Sequence, residues 1–137
     1  MTKEIAVPGT VLAHLRSCCL ALPEVAEEEA WAGTRWVVRG QNFAQVLMIA
    51  DGWPPAYAAA AGTVGPACVL TFRCLRDEVE AFRQAGAPFF VPVWFPNIVG
   101  IELGEDVDWA QVDELVTDSY CVLAPRRLAA LVAHPEA

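Results

Sequence analysis

The side chains that could do chemistry are few and scattered. Five cysteines stand at positions 18, 19, 68, 74 and 121. None forms a C-x-x-C pair and the number is odd, which argues against a disulfide framework or a zinc site. Cys68 and Cys74 share a strand face but lie about 20 Å apart at strand rise, beyond the reach of a disulfide. All five are expected to serve as small buried apolar groups in a reduced cytoplasm. Cys121, close in sequence to Arg126 and Arg127, is the thiol whose pKa a neighbouring cation could lower. His14 and His134 have no metal-ligand spacing. Ser119 falls inside a helical pattern rather than on a strand-to-helix elbow. Gly62-Thr63-Val64-Gly65 lacks the lysine and following helix of a phosphate loop. These residues imply no catalytic group, no metal and no cofactor, and hence a non-catalytic protein.

Charge narrows the partners. Nine basic residues, eight of them arginine, face seventeen acidic ones, for a net charge of −8. Such a field repels a phosphate backbone on average, so a nucleic-acid site would need a local arginine patch. Arg35, Arg39 and Arg73, with Arg126 and Arg127, are the residues that could form one. Arg126 and Arg127 sit at a helix start, where cations oppose the helix dipole. Asp118 and Glu114 are the acids expected to balance them. Trp53, Tyr57, Trp94 and Phe95 offer the alternative, an apolar groove for a protein or a small ligand.

The elements that must carry these side chains follow from periodicity. The length of 137 residues suits one domain spanning the chain, and with 55% hydrophobic and 19% charged residues a packed core is expected. Val11, Leu15, Cys18 and Leu22 recur at helical spacing after Pro8-Gly9-Thr10. Glu24 to Glu29 reads as a solvated acidic connection. Thr34 to Arg39 alternates, with Trp36 and Val38 on one face and Arg35, Val37 and Arg39 on the other. After a Gly40-Gln41-Asn42 turn, Phe43 to Ile49 continues as the second strand of a hairpin. Asp51 to Pro66 reads as a long loop. Ala67 to Cys74 is a third strand that sets Arg73 opposite Cys68, Leu70, Phe72 and Cys74. A helix follows, with Asp77 and Glu80 as its capping box. Two strands come next, Phe89 to Trp94, confined by Pro92 to an edge or bulge, and Ile98 to Leu103. A helix capped by Asp108 carries Trp109, Val112, Val116 and Tyr120 on one face. Pro125 opens a last helix with Leu128, Leu131 and Val132 inward.

This order, α-β(3)-α-β(2)-α(α), predicts a two-layer α+β domain with an antiparallel sheet and its helices on one face. The other face is then partly open and presents Arg35, Arg39 and Arg73. No amino-terminal signal peptide and no stretch of roughly 18 apolar residues is visible. A soluble cytoplasmic protein, a monomer or weak dimer without a membrane partner, is expected.

Four segments taken in order carry a resemblance that spans nearly the whole chain. They are Cys19-Leu20-Ala21-Leu22-Pro23, Trp31-Ala32-Gly33, Val38-Arg39-Gly40-Gln41-Asn42-Phe43-Ala44 and Asp118-Ser119-Tyr120 through Arg126-Arg127-Leu128. The series resembles the MmcQ/YjbR family of small, mostly bacterial proteins. The resemblance implies an α-β(3)-α-β(2)-α fold of the CyaY-like kind and carries a DNA-binding label that rests on fold analogy. The chain departs from the family at Gln41 and Asn42, where a lysine is usual. It departs again at Phe95-Pro96-Asn97, in place of an Asn-Lys pair, and at Ile98, in place of a tryptophan. These departures remove cations and groove-lining groups that a nucleic-acid or anion site would use. The expected function is therefore binding of a protein or small ligand through the open sheet face and the 51–66 loop. Binding of DNA through the arginine patch is the alternative.

Overall fold

A computed structural model of the protein describes residues 6–94 and 96–132, so His134 and Phe95 lie outside the described residues. Six antiparallel strands form one sheet in the order β1-β2-β3-β4-β6-β5. They are β1 (Val25–Glu29), β2 (Thr34–Val38), β3 (Gln41–Ile49), β4 (Ala67–Arg73), β5 (Phe89–Phe90) and β6 (Ile98–Glu102). The helices are α1 (Gly9–Leu20), α2 (Pro55–Ala61), α3 (Val79–Ala85), α4 (Trp109–Leu123) and α5 (Arg126–Ala129).

The α+β class and the antiparallel sheet agree with expectation, and the main core forms where the periodicities point. Leu15 and Cys19 of α1 and Val112, Val116 and Tyr120 of α4 pack on the strand face carrying Trp36, Val46, Leu70 and Phe72. Asp108 caps α4, accepting from Ala110 N at 3.1 Å and Gln111 N at 3.2 Å. Tyr120, fully buried, donates its hydroxyl to Pro23 O at 2.7 Å and so ties α4 to the chain entering β1. The last helix points Leu128 inward, but Leu131 is 71% exposed, because α5 ends at Ala129 and the chain turns out of the helix.

Several elements differ from the sequence reading. The acidic segment from Val25 to Glu29 is an edge strand paired antiparallel with β2. Its carboxylates hide the alternation, and charged side chains on an edge strand also discourage pairing with other chains. Glu27 takes a two-pronged bond from Arg16 and accepts Trp36 Nε1 at 3.0 Å. The hairpin turn is Arg39-Gly40, both at positive φ, rather than Gly40 to Asn42. The strand expected from Phe89 to Trp94 stops at Phe90, two residues before Pro92. Glu78, not the Asp77/Glu80 pair, closes the turn before α3, accepting Leu75 N at 3.0 Å.

The largest difference lies in the 51–66 segment, which contains α2. This helix sits on the sheet face opposite α1 and α4, so the helices do not all share one side. It covers a second, smaller core of Ala32, Leu47, Ile49 and Val69, against which Trp53, Tyr57 and Phe90 pack. Burying a Leu, Ile or Val side chain contributes roughly 1.5–3 kcal/mol, enough to hold a short alanine helix that would not persist alone.

Candidate binding face

The far face of the sheet divides into a covered half and a polar half. Under α2 lie Leu47, Ile49 and Val69. Beyond it, alternation brings Glu28, Arg35, Gln45, Thr71 and Arg73 to the same face. A hydrogen-bond chain crosses this half. Asn42 Nδ2 donates to Gln45 Oε1 at 3.0 Å and Gln45 Nε2 to Ala32 O at 2.8 Å. Arg73 donates from Nε to Asn42 O at 3.2 Å and from Nη1 to Asn97 Oδ1 at 3.0 Å. Partial burial lowers the pKa of that guanidinium.

The five arginines do not converge. Arg35 and Arg73 share the far face, but Arg35 is held by Glu28 at 2.9 Å. Arg39 lies in the hairpin turn with φ 52° and reaches Glu24 at 2.9 Å. Its hydrogen bond holds the Glu24 carboxyl below the usual range. Arg127 approaches the same carboxylate at 3.7 Å, so Glu24 answers one of the two arginines at that end of the helix pair. Arg126 stands beside Arg127 at the start of α5. The expected patch is thus divided between the far face and the α5 end, and three of its members meet glutamates.

The aromatic residues do gather. Trp53 and Tyr57 both pack on the small core under α2. Tyr57 meets Trp94 edge-on with centroids 4.6 Å apart, and Trp53 meets Trp31 at 5.2 Å. Trp31 is 75% exposed and Val93 96% exposed, which leaves an apolar ridge facing solvent. Trp31 was legible only as part of a motif. The signal that marks it is a tryptophan two residues before a glycine in a tight turn, closed by Ala30 N to Gly33 O at 3.0 Å. Trp53 closes a second turn, where Ala50 and Trp53 exchange two bonds of 2.9 Å.

The chain belongs to the YjbR family. The family's sequence profile matches residues 20–122, three quarters of the length. A Deinococcus radiodurans protein with a DUF419 domain superposes with a TM-score of 0.64 at 17% identity, over 92% of this chain and 90% of that one. A protein from Pseudomonas syringae gives a TM-score of 0.60 at 10% identity, over 82% of this chain and 95% of that one. No curated protein matches the sequence. At these identities the structures share the fold. In this YjbR domain the resembling segments act as structural joints. Ser119 and Tyr120 bond β3, β4 and Pro23, and Trp31-Ala32-Gly33 forms the β1–β2 turn.

On the opposite side a groove of about 470 Å³ runs between α1 and α4. His14 Nε2 lies 2.7 Å from Asp113 Oδ1, and the His14 ring stacks on Trp109 with centroids 4.3 Å apart. Burial, with Asp113 adding to it, pushes the Cys18 thiol up to about 11. Cys121 is also raised, by burial and by Asp118, so the arginines nearby do not activate it. No helix among the described residues is long and apolar enough to cross a membrane.

The thiols predict an alkaline weakness. Burial raises Cys68 and Cys74 to about 11 from 9.0, and raises Cys19 as well. The folded state keeps these protons while the unfolded state releases them, so the stabilisation from Cys68 and Cys74 is complete below pH 9 and lost as pH rises through about 11. Cys68, only 7% exposed, contributes on the order of 2 kcal/mol of this. Urea midpoints measured from about pH 8 to about pH 11 should fall, and Cys68→Ala should flatten the slope. Parallel curves for the two proteins would show that Cys68 does not carry the effect.

Proposed function

We propose that this YjbR domain is a non-catalytic binding module that engages a protein or small ligand through its far sheet face and the aromatic surface around α2. The observation that carries this reading is the exposed ridge of Trp31 on Trp53 and Trp94 on Tyr57. A tryptophan left three-quarters in water gives up the burial that most large aromatics gain on folding. Aromatic side chains on a rigid scaffold are also the usual energetic anchors of interfaces.

The arginines support the DNA alternative less well. Arg35, Arg39 and Arg127 are drawn to Glu28 and Glu24, and a phosphate would have to displace those carboxylates against a net charge of −8.

The test compares wild type with a Trp31→Ala/Trp94→Ala variant as affinity baits in extract from the source cells. Circular dichroism should first show both folded. A species or metabolite enriched by wild type and lost with the variant is the expected result. Equal capture by both baits would move binding elsewhere. Retention of duplex DNA at low salt, abolished by Arg35→Ala/Arg73→Ala, would favour the alternative.

A further inference from the structure

The groove between α1 and α4 lies on the sheet side away from the aromatic ridge and has a lining of a different kind. His14 and Cys18 stand one turn apart on α1, as Asp113 and Thr117 do on α4, and all four border it. Cys18, Thr117 and the neighbouring Ala21 are too small to fill the space between the helices, which leaves the hollow of about 470 Å³. Leu22, Leu131 and Val132 give it an apolar wall, and Leu131 keeps 71% of its surface in water there. Asp113 is the one carboxylate in the lining, and neither lysine nor arginine is among the described residues that form it. The Asp113 side chain is 30% exposed, so it is reachable from the groove. A carboxylate accepts at about four lone-pair sites. The His14 ring, which stacks on Trp109, uses one at Oδ1, and the Cys18 thiol draws on another. The group can still take a donor from outside.

We infer that this groove binds a small organic ammonium ion, a primary amine carrying an apolar body. The inference goes beyond the binding reading above, because it assigns a second ligand to the opposite side of the sheet. An ammonium group has three donors and a positive charge, which match the open positions of Asp113. Its apolar body covers Leu22, Leu131 and Val132, surface that folding leaves in contact with water. Concave walls of low polarity strengthen the charge pair over its value in open solvent. The surroundings select the same sign. The His14 ring also borders a second hollow of about 460 Å³, where Glu105 lines the wall and again no lysine or arginine does. With the chain acidic by eight charges, an amine is steered in and a carboxylate repelled.

The test titrates the full chain near neutral pH and at constant ionic strength with hexylamine, hexanol and hexanoate, which share one apolar body and differ in charge. The amide signals of Cys18, Thr117 and Leu131 are followed by NMR. Hexylamine should shift all three saturably and bind about tenfold more tightly than hexanol, and hexanoate should bind weakest. Asp113→Asn should remove the preference for the amine over the alcohol. Asparagine keeps the side-chain shape and can still accept from His14, so the contact between α1 and α4 should survive. His14→Phe keeps a ring for Trp109 but withdraws the competing donor, and should tighten hexylamine about threefold. Trp31→Ala/Trp94→Ala should bind hexylamine as wild type does, so this site and the aromatic ridge stand or fall separately. Equal affinity for hexylamine and hexanol would overturn the inference, since the groove would then read apolar surface alone. Unchanged selectivity in Asp113→Asn would overturn it as well. A groove already filled, by the residues after Val132 or by a second copy of the chain, would give no saturable shift with any probe, and that result too would overturn it.

Discussion

Gly33→Ala is expected to cost about 4 kcal/mol or more, a large share of the 5–15 kcal/mol that holds a domain together. A Cβ at this position would lie 1.9 Å from Val46 O and 2.9 Å from Leu47 Cα, both backbone atoms of β3. Neither can move without disturbing the central ladder. The residue also has φ +75°, where an alanine costs about 1–3 kcal/mol before any contact is counted. Gly40 supplies the control. Its φ is +76°, but nothing lies within 4 Å of an added Cβ. Gly40→Ala should therefore cost only about 1 kcal/mol. Urea unfolding of the two variants separates the conformational cost from the contact. Equal losses would mean that the turn does not press on β3. Gly33 also sets the position of Trp31, so any folded Gly33→Ala protein should show altered tryptophan emission.

Ser119→Ala should cost about 2–4 kcal/mol, although only one oxygen is lost. The last β3–β4 pair is Ala44 with Phe72. One step further, Arg73 N–H would ordinarily donate to Phe43 O across the ladder. Phe43 is the residue left out of register where β2 and β3 shift between Trp36 and Val37. The strands separate there, and the Ser119 hydroxyl enters from α4. It accepts from Arg73 N at 2.7 Å and donates to Phe43 O. Alanine would leave a buried donor and a buried acceptor facing each other across a gap. Thr117→Val is a fair comparison, because the Thr117 hydroxyl only bonds Asp113 O one turn back in its own helix. Its loss should stay within about 1 kcal/mol. A Ser119→Ala loss as small as that would show that the strands close and pair directly. Because Arg73 continues onto the far face, the same variant should also shift the amide signals of Asn42 and Gln45.

Much of the fold was legible because its periodicities are local. Val112, Val116 and Tyr120 recur at helical spacing, and Asp108 can reach the N–H groups two and three residues on. Alternation in β4 separated Leu70 and Phe72 from Arg73, which is where the strand faces place them. The edge strand β1 escaped notice because its residues Ala26 to Glu29 carry no apolar stripe. Its strand character comes from pairing with β2. The helix α2 was hidden for a related reason. A run of alanines has no amphipathic signature, and what holds this one is Leu47, Ile49 and Val69 on β3 and β4, the strands that flank it in the chain.

The candidate site shows the same division. Residue types and spacing alone determined the α+β class, the family, the inward faces of the main helices and strands, and the outward placement of Arg35 and Arg73. These follow from side-chain period and backbone chirality, which act over a few residues. Only the tertiary structure decided that Arg39 and Arg127 would meet at Glu24 and that Arg35 would be held by Glu28. It alone brought Trp31 and Trp53, 22 positions apart in the chain, to ring contact at one end of the sheet. Ion pairing and aromatic stacking depend on strand register and on which turns share an end, and those are set by the assembly of the whole sheet.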